Sequence, residues 1–198
     1  QIELKKSTVE INQAFNQIKK YAGENKYTDI YSLLQMFVIM SPDSSAYFAN
    51  SRPDEFNKSF VFKWRDKDNN PVENGMDFAK SALNIPMAHK LVSEYKAIDE
   101  ERKKLLLLRP YQIYAIEAVL KRIKEHENGY VWHTTGSGKT LTSYKTAKLA
   151  AQMPSVDRVV FLVDRKALDD QTVGNFRAYA SNDDMTINKT DNTAKLRK

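Results

Sequence analysis

The segment from residue 130 to residue 140 constrains the fold of this 198-residue chain more than any other. It reads Tyr-Val-Trp-His-Thr-Thr-Gly-Ser-Gly-Lys-Thr, an apolar run followed by a turn of small residues and then by a helical pattern. Gly136 and Gly138 permit a tight turn in which backbone N–H groups converge. The helix that Lys139 and Thr140 begin adds the positive end of its dipole. The segment therefore predicts a strand, an anion-cradling loop and a helix.

This order of elements is that of the phosphate-binding loop of nucleotide-binding proteins. In such a loop Lys139 reaches the β- and γ-phosphates, and the Thr140 hydroxyl is a ligand of Mg²⁺. The strict pattern has glycine where this chain has His133, but Thr-Thr-Gly-Ser-Gly-Lys-Thr is a variant typical of helicase-like motors. A Gly/Ser-rich turn with an incidental Lys-Thr pair is the alternative. We expect ATP and Mg²⁺ as cofactors, held by Thr135, Gly136, Ser137, Gly138, Lys139 and Thr140.

The composition limits the class of protein and its surroundings. Hydrophobic residues make up 41% of the chain, which is enough for a core, and the net charge of +6 fits a nucleic-acid partner. The absence of cysteine fits a reducing cytoplasm. No apolar run approaches the roughly 20 residues that a membrane span needs, and no signal peptide opens the chain, so we expect a cytoplasmic protein without a membrane partner. Because an alternating strand pattern starts at once after Gln1, we also expect the chain to be a fragment of a longer protein.

The first residues predict a strand with one charged face. Ile2 and Leu4 alternate with Glu3 and Lys5, so the two charged side chains share a face of the strand. A carboxylate and an ammonium so placed can hold Mg²⁺ and stabilise a phosphorane. The alternative is an ordinary solvated strand face.

A helix with a polar pair follows this strand. Apolar residues recur at helical spacing from residue 11 to residue 22, and Gln17 and Tyr21, four residues apart, lie on one side of the helix. Strands are predicted at residues 35–40 and 46–50, joined as a hairpin, and at residues 60–64. The segment 76–108 is predicted to be largely helical.

The second half predicts a further helix and a buried strand. Arg109 precedes Pro110 at a helix start, and the amide of Gln112 offers both a donor and an acceptor to an adenine edge. Residues 158–163 form a continuous apolar run, as in a parallel strand buried on both faces. Arg165 and Lys166, directly after this run, are candidate contacts to DNA phosphates, and exposed charge at a helix start explains them equally well.

Taken together, these residues resemble the motor-nuclease subunit of type I restriction enzymes. The resemblance rests on Ile-Glu-Leu-Lys-Lys at 2–6 with Gln17 and Tyr21, on Leu-Arg-Pro-Tyr-Gln at 108–112, on residues 129–140 and on Val-Asp-Arg at 163–165. It implies an α/β chain with a partial nuclease domain of the PD-(D/E)xK kind, which is a mixed sheet flanked by helices. Part of a RecA-like P-loop motor lobe of helicase superfamily 2, with a parallel sheet, is expected to follow.

The resemblance also implies residue roles and partners. Residues 1–75 would be the C-terminal part of the nuclease domain, 76–108 a helical connector, and 109–198 the N-terminal part of the first motor lobe. Double-stranded DNA and the modification (methyltransferase) and specificity subunits are the implied partners of an ATP-driven DNA translocase that cuts far from its recognition site. The catalytic group would comprise Glu3, Lys5, Gln17 and Tyr21, with Glu3 and Thr140 as metal ligands, and the nucleotide site would include Arg109 and Gln112.

Some parts of the family's pattern lie outside this sequence. The nuclease aspartate that precedes Glu3 in the family is missing, and so are the Asp-Glu box and the second motor lobe with its arginine finger. We therefore expect this polypeptide alone to be inactive both as a nuclease and as an ATPase.

Three other functions remain open from the sequence. A DNA repair or remodelling translocase would keep the motor and have a non-catalytic N-terminal domain. A P-loop kinase or another small-molecule phosphotransferase would show no ATPase activity that depends on DNA. A bare DNA-binding module would carry a degenerate nucleotide site.

Overall fold

A computed structural model describes residues 1–163, 166–183 and 185–190 of the chain. The chain forms two units, of which the first comprises Gln1–Lys96 with Lys104–Tyr114 and the second Ala97–Lys103 with Ala115–Lys198. Both helices and strands occur, so the predicted α/β class is confirmed.

A mixed three-stranded sheet forms the centre of the first unit. Its strands are β1 (Ile2–Leu4), β2 (Met36–Ser41) and β3 (Ser44–Ala49), in the order β1-β2-β3. β1 runs parallel to β2, and β2 and β3 form an antiparallel hairpin. The predicted first strand and the predicted hairpin are therefore confirmed.

Helix α1 (Ile11–Gly23) covers one face of this sheet with its apolar side. The ring of Phe15 packs against Phe48 of β3 with 5.2 Å between centroids, and Phe37 of β2 stacks on Phe48 at 5.4 Å. Burial of such aromatic side chains is the main stabilising contribution in a small core. The buried cluster consists of Ala14, Phe15, Ile18, Ala22, Phe37, Ile39, Phe48 and Phe56.

The remainder of the first unit contains short elements. Three 3-10 helices are Asp29–Leu33, Pro53–Glu55 and Lys58–Phe60. The predicted strand at 60–64 is wrong, because these residues form a 3-10 turn and an isolated bridge between Phe62 and Tyr47. A short extended segment with one bridge is too irregular to join the ladder of β3.

Two helices and two strands follow in the segment predicted to be helical. The helices are α2 (Gly75–Ala82) and α3 (Ile85–Ser93). The strands β4 (Lys96–Asp99) and β5 (Lys104–Leu107) were not predicted, because each has only four residues and they adjoin the charged run at 96–104. Most of β4 belongs to the second unit, and β5 belongs to the first.

The second unit is built mainly from helices. α4 (Pro110–Lys124) begins in the first unit, and α5 (Lys139–Ala151) and α6 (Lys166–Ala180) belong to the second. Tyr144 of α5 packs edge-on against Phe176 of α6, with 5.5 Å between ring centroids. Within the described residues, no helix is both long and apolar enough to cross a membrane.

The predicted strands at 130–132 and 158–163 are not strands in the structure. Trp132 is 87% exposed and Leu162 is 93% exposed, so neither apolar run is buried on both faces. A strand buried on both faces requires hydrogen-bond partners for its backbone, which a neighbouring strand provides. Neither run pairs with a strand in the described part of the chain, and each remains extended without a ladder.

Gly75, the first residue of α2, lies against the end of β2 in the first unit, and a substitution there tests this close approach. A Cβ atom at this position would lie 2.2 Å from the carbonyl oxygen of Ser41. We expect Gly75→Ala to lower the free energy of unfolding by about 1–3 kcal/mol, because the hairpin would have to move. Urea unfolding followed by circular dichroism measures this change.

Gly23→Ala is the matched control, since a Cβ there meets no atom within 4 Å. It should raise the stability by roughly 0.5–1 kcal/mol, as expected when a helical glycine is replaced. Equal stability of the two variants would contradict the close approach at Gly75.

Candidate functional site

The charged face of β1 carries the first candidate site. The Nζ atom of Lys5 lies 2.7 Å from Oε1 of Glu3, and the two side chains are only 17% and 16% exposed. β1 pairs with β2 so that Glu3 lies beside Ile39, whose side chain is in the core under α1. Paired residues of neighbouring strands point to the same face, so the ion pair lies on the side of the sheet that α1 covers.

Helix α1 extends this ion pair into a chain of polar contacts. Lys5 Nζ donates a hydrogen bond of 2.5 Å to Oε1 of Gln17, and Nε2 of Gln17 donates to the hydroxyl of Tyr21. The four residues that the sequence predicts as one catalytic group therefore lie together. Gln17 holds the Lys5 ammonium in place from the helix, while Glu3 does so from the strand.

The end of α1 fixes a further segment next to these residues. Asn25 has a φ of 55°, and its N–H and that of Lys26 bond to the carbonyls of Ala22 and Tyr21 at 3.1 and 3.0 Å. This is a Schellman ending, in which a left-handed residue closes the helix. The Lys26 ammonium lies 5.2 Å from the centre of the Tyr21 ring.

The ending turns the chain back, and Tyr27 packs on Phe37 of β2. Sequence reasoning missed both Lys26 and Tyr27, because they follow the helix and belong to no periodic pattern. The left-handed Asn25 was the one signal that could have indicated the reversal.

A divalent cation fits this site only in part. Mg²⁺ is usually bound by one or two carboxylates together with water and substrate oxygens. Glu3 supplies one partly buried carboxylate, and no group of three or more His, Cys, Asp or Glu side chains gathers for a metal within the described residues. The described residues therefore supply a single carboxylate to a magnesium ion at this position.

The second candidate site is the loop between residues 133 and 140. Gly136 and Gly138 both have a φ of 78°, the left-handed conformation that side chains rarely adopt. Lys139, the first residue of α5, folds back so that its Nζ donates to the carbonyl oxygens of Thr134 at 3.0 Å and His133 at 3.4 Å. Two carbonyl oxygens at the start of the loop therefore hold the Lys139 ammonium.

The other predicted loop residues line the same turn. Ser137 Oγ donates to the Thr134 carbonyl at 2.8 Å, which closes the turn, and Thr135 is exposed within it. Thr140 is the second residue of α5, where backbone N–H groups have no partner inside the helix. An anion at this turn would meet those N–H groups and the Lys139 ammonium together.

His133 is the first residue of the loop, and its carbonyl oxygen accepts from Lys139. Burial lowers the pKa of its imidazole below the ordinary value, and the nearby Lys139 ammonium lowers it further. Both residues lie at the polar edge of a cavity of about 280 Å³. The rest of its wall, from α4, α5 and the two extended runs, is mostly apolar: Ala115, Val119, Ile123, Val131, Thr142, Ser143, Thr146, Ala147, Ala150, Val159 and Phe161.

Arg109 and Gln112 belong to the first unit, whereas the loop belongs to the second. Oε1 of Gln112 accepts a 2.9 Å hydrogen bond from the backbone N–H of Arg109, which caps the start of α4, and Gln112 is only 4% exposed. The guanidinium of Arg109 lies 4.8 Å from the centre of the Phe62 ring. Both side chains thus have structural contacts of their own.

The predicted DNA contacts are not described by the structure. Arg165 lies outside the described residues, and so does the side chain of Lys166, although the backbone of Lys166 begins α6.

Comparison with known proteins assigns the chain to a family. Residues 1–56 match the family model of the type I restriction enzyme R protein N terminus, and residues 105–198 match that of the type III restriction enzyme res subunit. The C-terminal part of a type I restriction enzyme endonuclease subunit from Mycoplasma pneumoniae is 36% identical over 146 residues, which are 68% of this chain and 69% of that relative. The chain belongs to the endonuclease subunits of type I restriction enzymes.

Longer relatives extend this family assignment over nearly the whole chain. The endonuclease subunit of a type I restriction enzyme from Staphylococcus aureus strain COL is 43% identical over 197 residues, which are 99% of this chain and 21% of the relative. A counterpart from Staphylococcus saprophyticus is 40% identical over the same length. The chain thus spans about a fifth of the length of these relatives.

Proposed function

We propose that this endonuclease-subunit fragment carries part of a metal-dependent DNA nuclease and part of an ATP-driven motor that moves double-stranded DNA. The observation that carries the proposal is the chain of contacts from Glu3 through Lys5 and Gln17 to Tyr21. A carboxylate and an ammonium 2.7 Å apart at a partly exposed sheet edge are the groups that phosphodiester cleavage requires.

In this proposal each residue of the first site has a distinct task. Glu3 would hold Mg²⁺, which supplies Lewis-acid stabilisation of phosphate oxygens. Lys5 is placed to stabilise the charge that builds up on the scissile phosphate, and Gln17 keeps its ammonium oriented. Tyr21 holds the Gln17 amide and reaches the DNA backbone. The fold assignment that follows is a partial PD-(D/E)xK domain in residues 1–75 and a connector in residues 76–108.

The second site would bind the nucleotide. The Lys139 ammonium and the N–H groups at the start of α5 would bind the β- and γ-phosphates, and Thr140 would be a Mg²⁺ ligand. Gln112, with Arg109 beside it, would contact adenine through its amide. Residues 109–198 would then be the beginning of a RecA-like motor lobe.

The partners follow from the same proposal. Double-stranded DNA is the substrate, with Arg165 and Lys166 as phosphate contacts. The relatives are named as endonuclease subunits of type I restriction enzymes, and the proposal adds modification and specificity subunits as partners in a cytoplasmic complex. A repair or remodelling translocase with a non-catalytic N-terminal domain is less well supported, because residues 1–56 match a restriction-enzyme model.

Lys5→Ala tests the nuclease assignment in the full-length subunit assembled with its partner subunits. We expect DNA cleavage to fall about 100-fold or more, because an electrostatic contact to the reacting phosphate is lost. ATP turnover should stay unchanged, since this site is not part of the nucleotide loop. The rates of plasmid cleavage and of phosphate release are measured in parallel.

Lys6→Ala is the control for this experiment, because it removes the next lysine along the chain, whose side chain is exposed. It should cleave DNA like the unmodified enzyme. Cleavage that survives Lys5→Ala with ATP turnover intact would sink the nuclease assignment and favour the translocase alternative.

Lys139→Ala tests the nucleotide site in the same complex. The loss of the ammonium from the phosphate loop should reduce DNA-dependent ATP turnover roughly 100-fold and abolish translocation. Lys124→Ala, which removes an exposed lysine at the end of α4, is the control. Unchanged ATP turnover in Lys139→Ala would support a degenerate nucleotide site. ATP turnover by the unmodified complex that does not depend on duplex DNA would support a phosphotransferase.

The lowered pKa of His133 predicts a pH dependence of nucleotide binding. The loop without an anion disfavours the protonated imidazole, because burial and Lys139 both oppose it. A bound triphosphate offsets the Lys139 charge and moves the His133 pKa back toward its ordinary value of about 6.5. Binding therefore takes up protons, and affinity should rise as the pH falls through about 7 to 6.

Replacement of the imidazole separates this effect from titration of the nucleotide itself. His133→Asn should bind ATP with a shallower pH dependence than the unmodified subunit, measured by calorimetry at several pH values. His126→Asn is the matched control, because His126 is exposed and its φ of 55° suits asparagine. Parallel pH curves for all three proteins would rule out the proposed role of His133.

A further inference from the structure

The ending of helix α1 places a second ammonium group beside the nuclease residues. The backbone N–H of Lys26 donates a 3.0 Å hydrogen bond to the carbonyl oxygen of Tyr21, and this contact folds the chain back over the last turn of the helix. The Nζ atom of Lys26 lies 5.2 Å from the centre of the Tyr21 ring. Because the Tyr21 hydroxyl accepts from the amide of Gln17, the Lys26 ammonium adjoins the polar chain that begins at Glu3.

The surroundings of Lys26 leave a net positive charge at this end of the helix. The carboxylate of Glu24 lies 3.1 Å from Lys26 Nζ, but the same carboxylate also lies 3.6 Å from the ammonium of Lys20. The hydrogen bond with Lys26 lowers the pKa of Glu24, so this carboxyl is ionised at neutral pH. Two ammonium groups and one carboxylate leave an excess of one positive charge. The Tyr21 ring holds the Lys26 cation without neutralising it.

The exposure of the side chains separates the tasks of the two lysines. The Lys5 side chain is only 17% exposed, and its ammonium is held by Glu3 and Gln17. The Lys26 side chain is 57% exposed and therefore open to a ligand from solution. Exposed lysines bind DNA phosphates, and such contacts set the position of a protein on the duplex. The Tyr21 hydroxyl, which accepts from Gln17, still has a proton to donate to a phosphate oxygen.

We propose that Lys26 binds a backbone phosphate of the duplex that enters the nuclease site, and that the Tyr21 hydroxyl shares this contact. The inference rests on the proposed nuclease function and adds to it a residue that binds the substrate. Lys26 positions the duplex in this arrangement, whereas Lys5 acts on the phosphate that is cleaved. The contact depends on the charge of the DNA backbone, so it is equally strong in duplexes of different sequence.

Lys26→Gln tests this contact in the full-length subunit, because it removes the charge and keeps the backbone N–H that ends α1. Binding of a short duplex is followed by fluorescence anisotropy at several KCl concentrations, without Mg²⁺ or nucleotide. We expect the slope of the logarithm of the binding constant against the logarithm of the salt concentration to decrease in magnitude by about one, as when one phosphate contact is lost. Lys26→Arg should restore the slope, since a guanidinium keeps the charge and also stacks on an aromatic ring.

Lys19→Gln is the matched control, since it removes an exposed lysine of the same helix. Lys19 is two residues from both Gln17 and Tyr21, which places it on the opposite side of α1. It should change the slope much less than Lys26→Gln does. Equal slopes in the two variants would overturn the inference. A loss in Lys26→Gln that Lys26→Arg does not restore would overturn it too, since the role would then be structural.

The binding measurement does not depend on cleavage, so the nuclease assignment can fail separately. In the assembled complex, Lys26→Gln should slow plasmid cleavage and leave ATP turnover unchanged. A decreased slope in Lys26→Gln together with normal cleavage by Lys5→Ala would leave the DNA contact standing and remove the nuclease assignment. An unchanged slope in Lys26→Gln together with lost cleavage in Lys5→Ala would remove the DNA contact and leave the nuclease assignment standing.

Discussion

The parallel hydrogen bonds between β1 and β2 determine how the first site is built. They place Glu3 beside Ile39, and Ile39 is in the core beneath α1. Because side chains alternate along a strand, Lys5 follows Glu3 onto the same face. A register slip of one residue would bring Ile2 and Leu4 under the helix and turn both charged groups away from Gln17 and Tyr21. The chemistry of the site therefore depends on one strand pairing between residues that are distant in the sequence.

Sequence reasoning predicted which side chains of this site share a face, but not which face would be covered. The two-residue period placed Glu3 with Lys5, and the four-residue spacing placed Gln17 with Tyr21. The usual rule would bury the apolar residues of β1, yet Ile2 and Leu4 are 52% and 67% exposed. Local rules tend to fail where a surface serves function, and the partly buried Glu3–Lys5 pair fits that expectation.

The difference between local and long-range determinants also explains which predictions for the second unit were right and which were wrong. The loop at 133–140 forms because two glycines adopt a φ of 78° and α5 starts directly after them. Both features depend on neighbouring residues in the sequence, so a local pattern predicts them. The runs at 130–132 and 158–163 have the composition of strands, but a strand exists only through its neighbours. The described residues supply no ladder for them, so composition alone overestimated the sheet.

Both sites hold a lysine against oxygen atoms of the chain itself, but with different consequences for a ligand. Lys139 donates to two carbonyl oxygens, and a phosphate replaces such neutral acceptors readily because charge-assisted hydrogen bonds are stronger. Lys5 faces the full negative charge of Glu3, which competes with a phosphate for the same ammonium. A cation bound to Glu3 would weaken that competition and release Lys5 toward the substrate. In the proposed function the loop would accept its anion directly, whereas the strand site would need a cation on Glu3 before Lys5 could act on a phosphate.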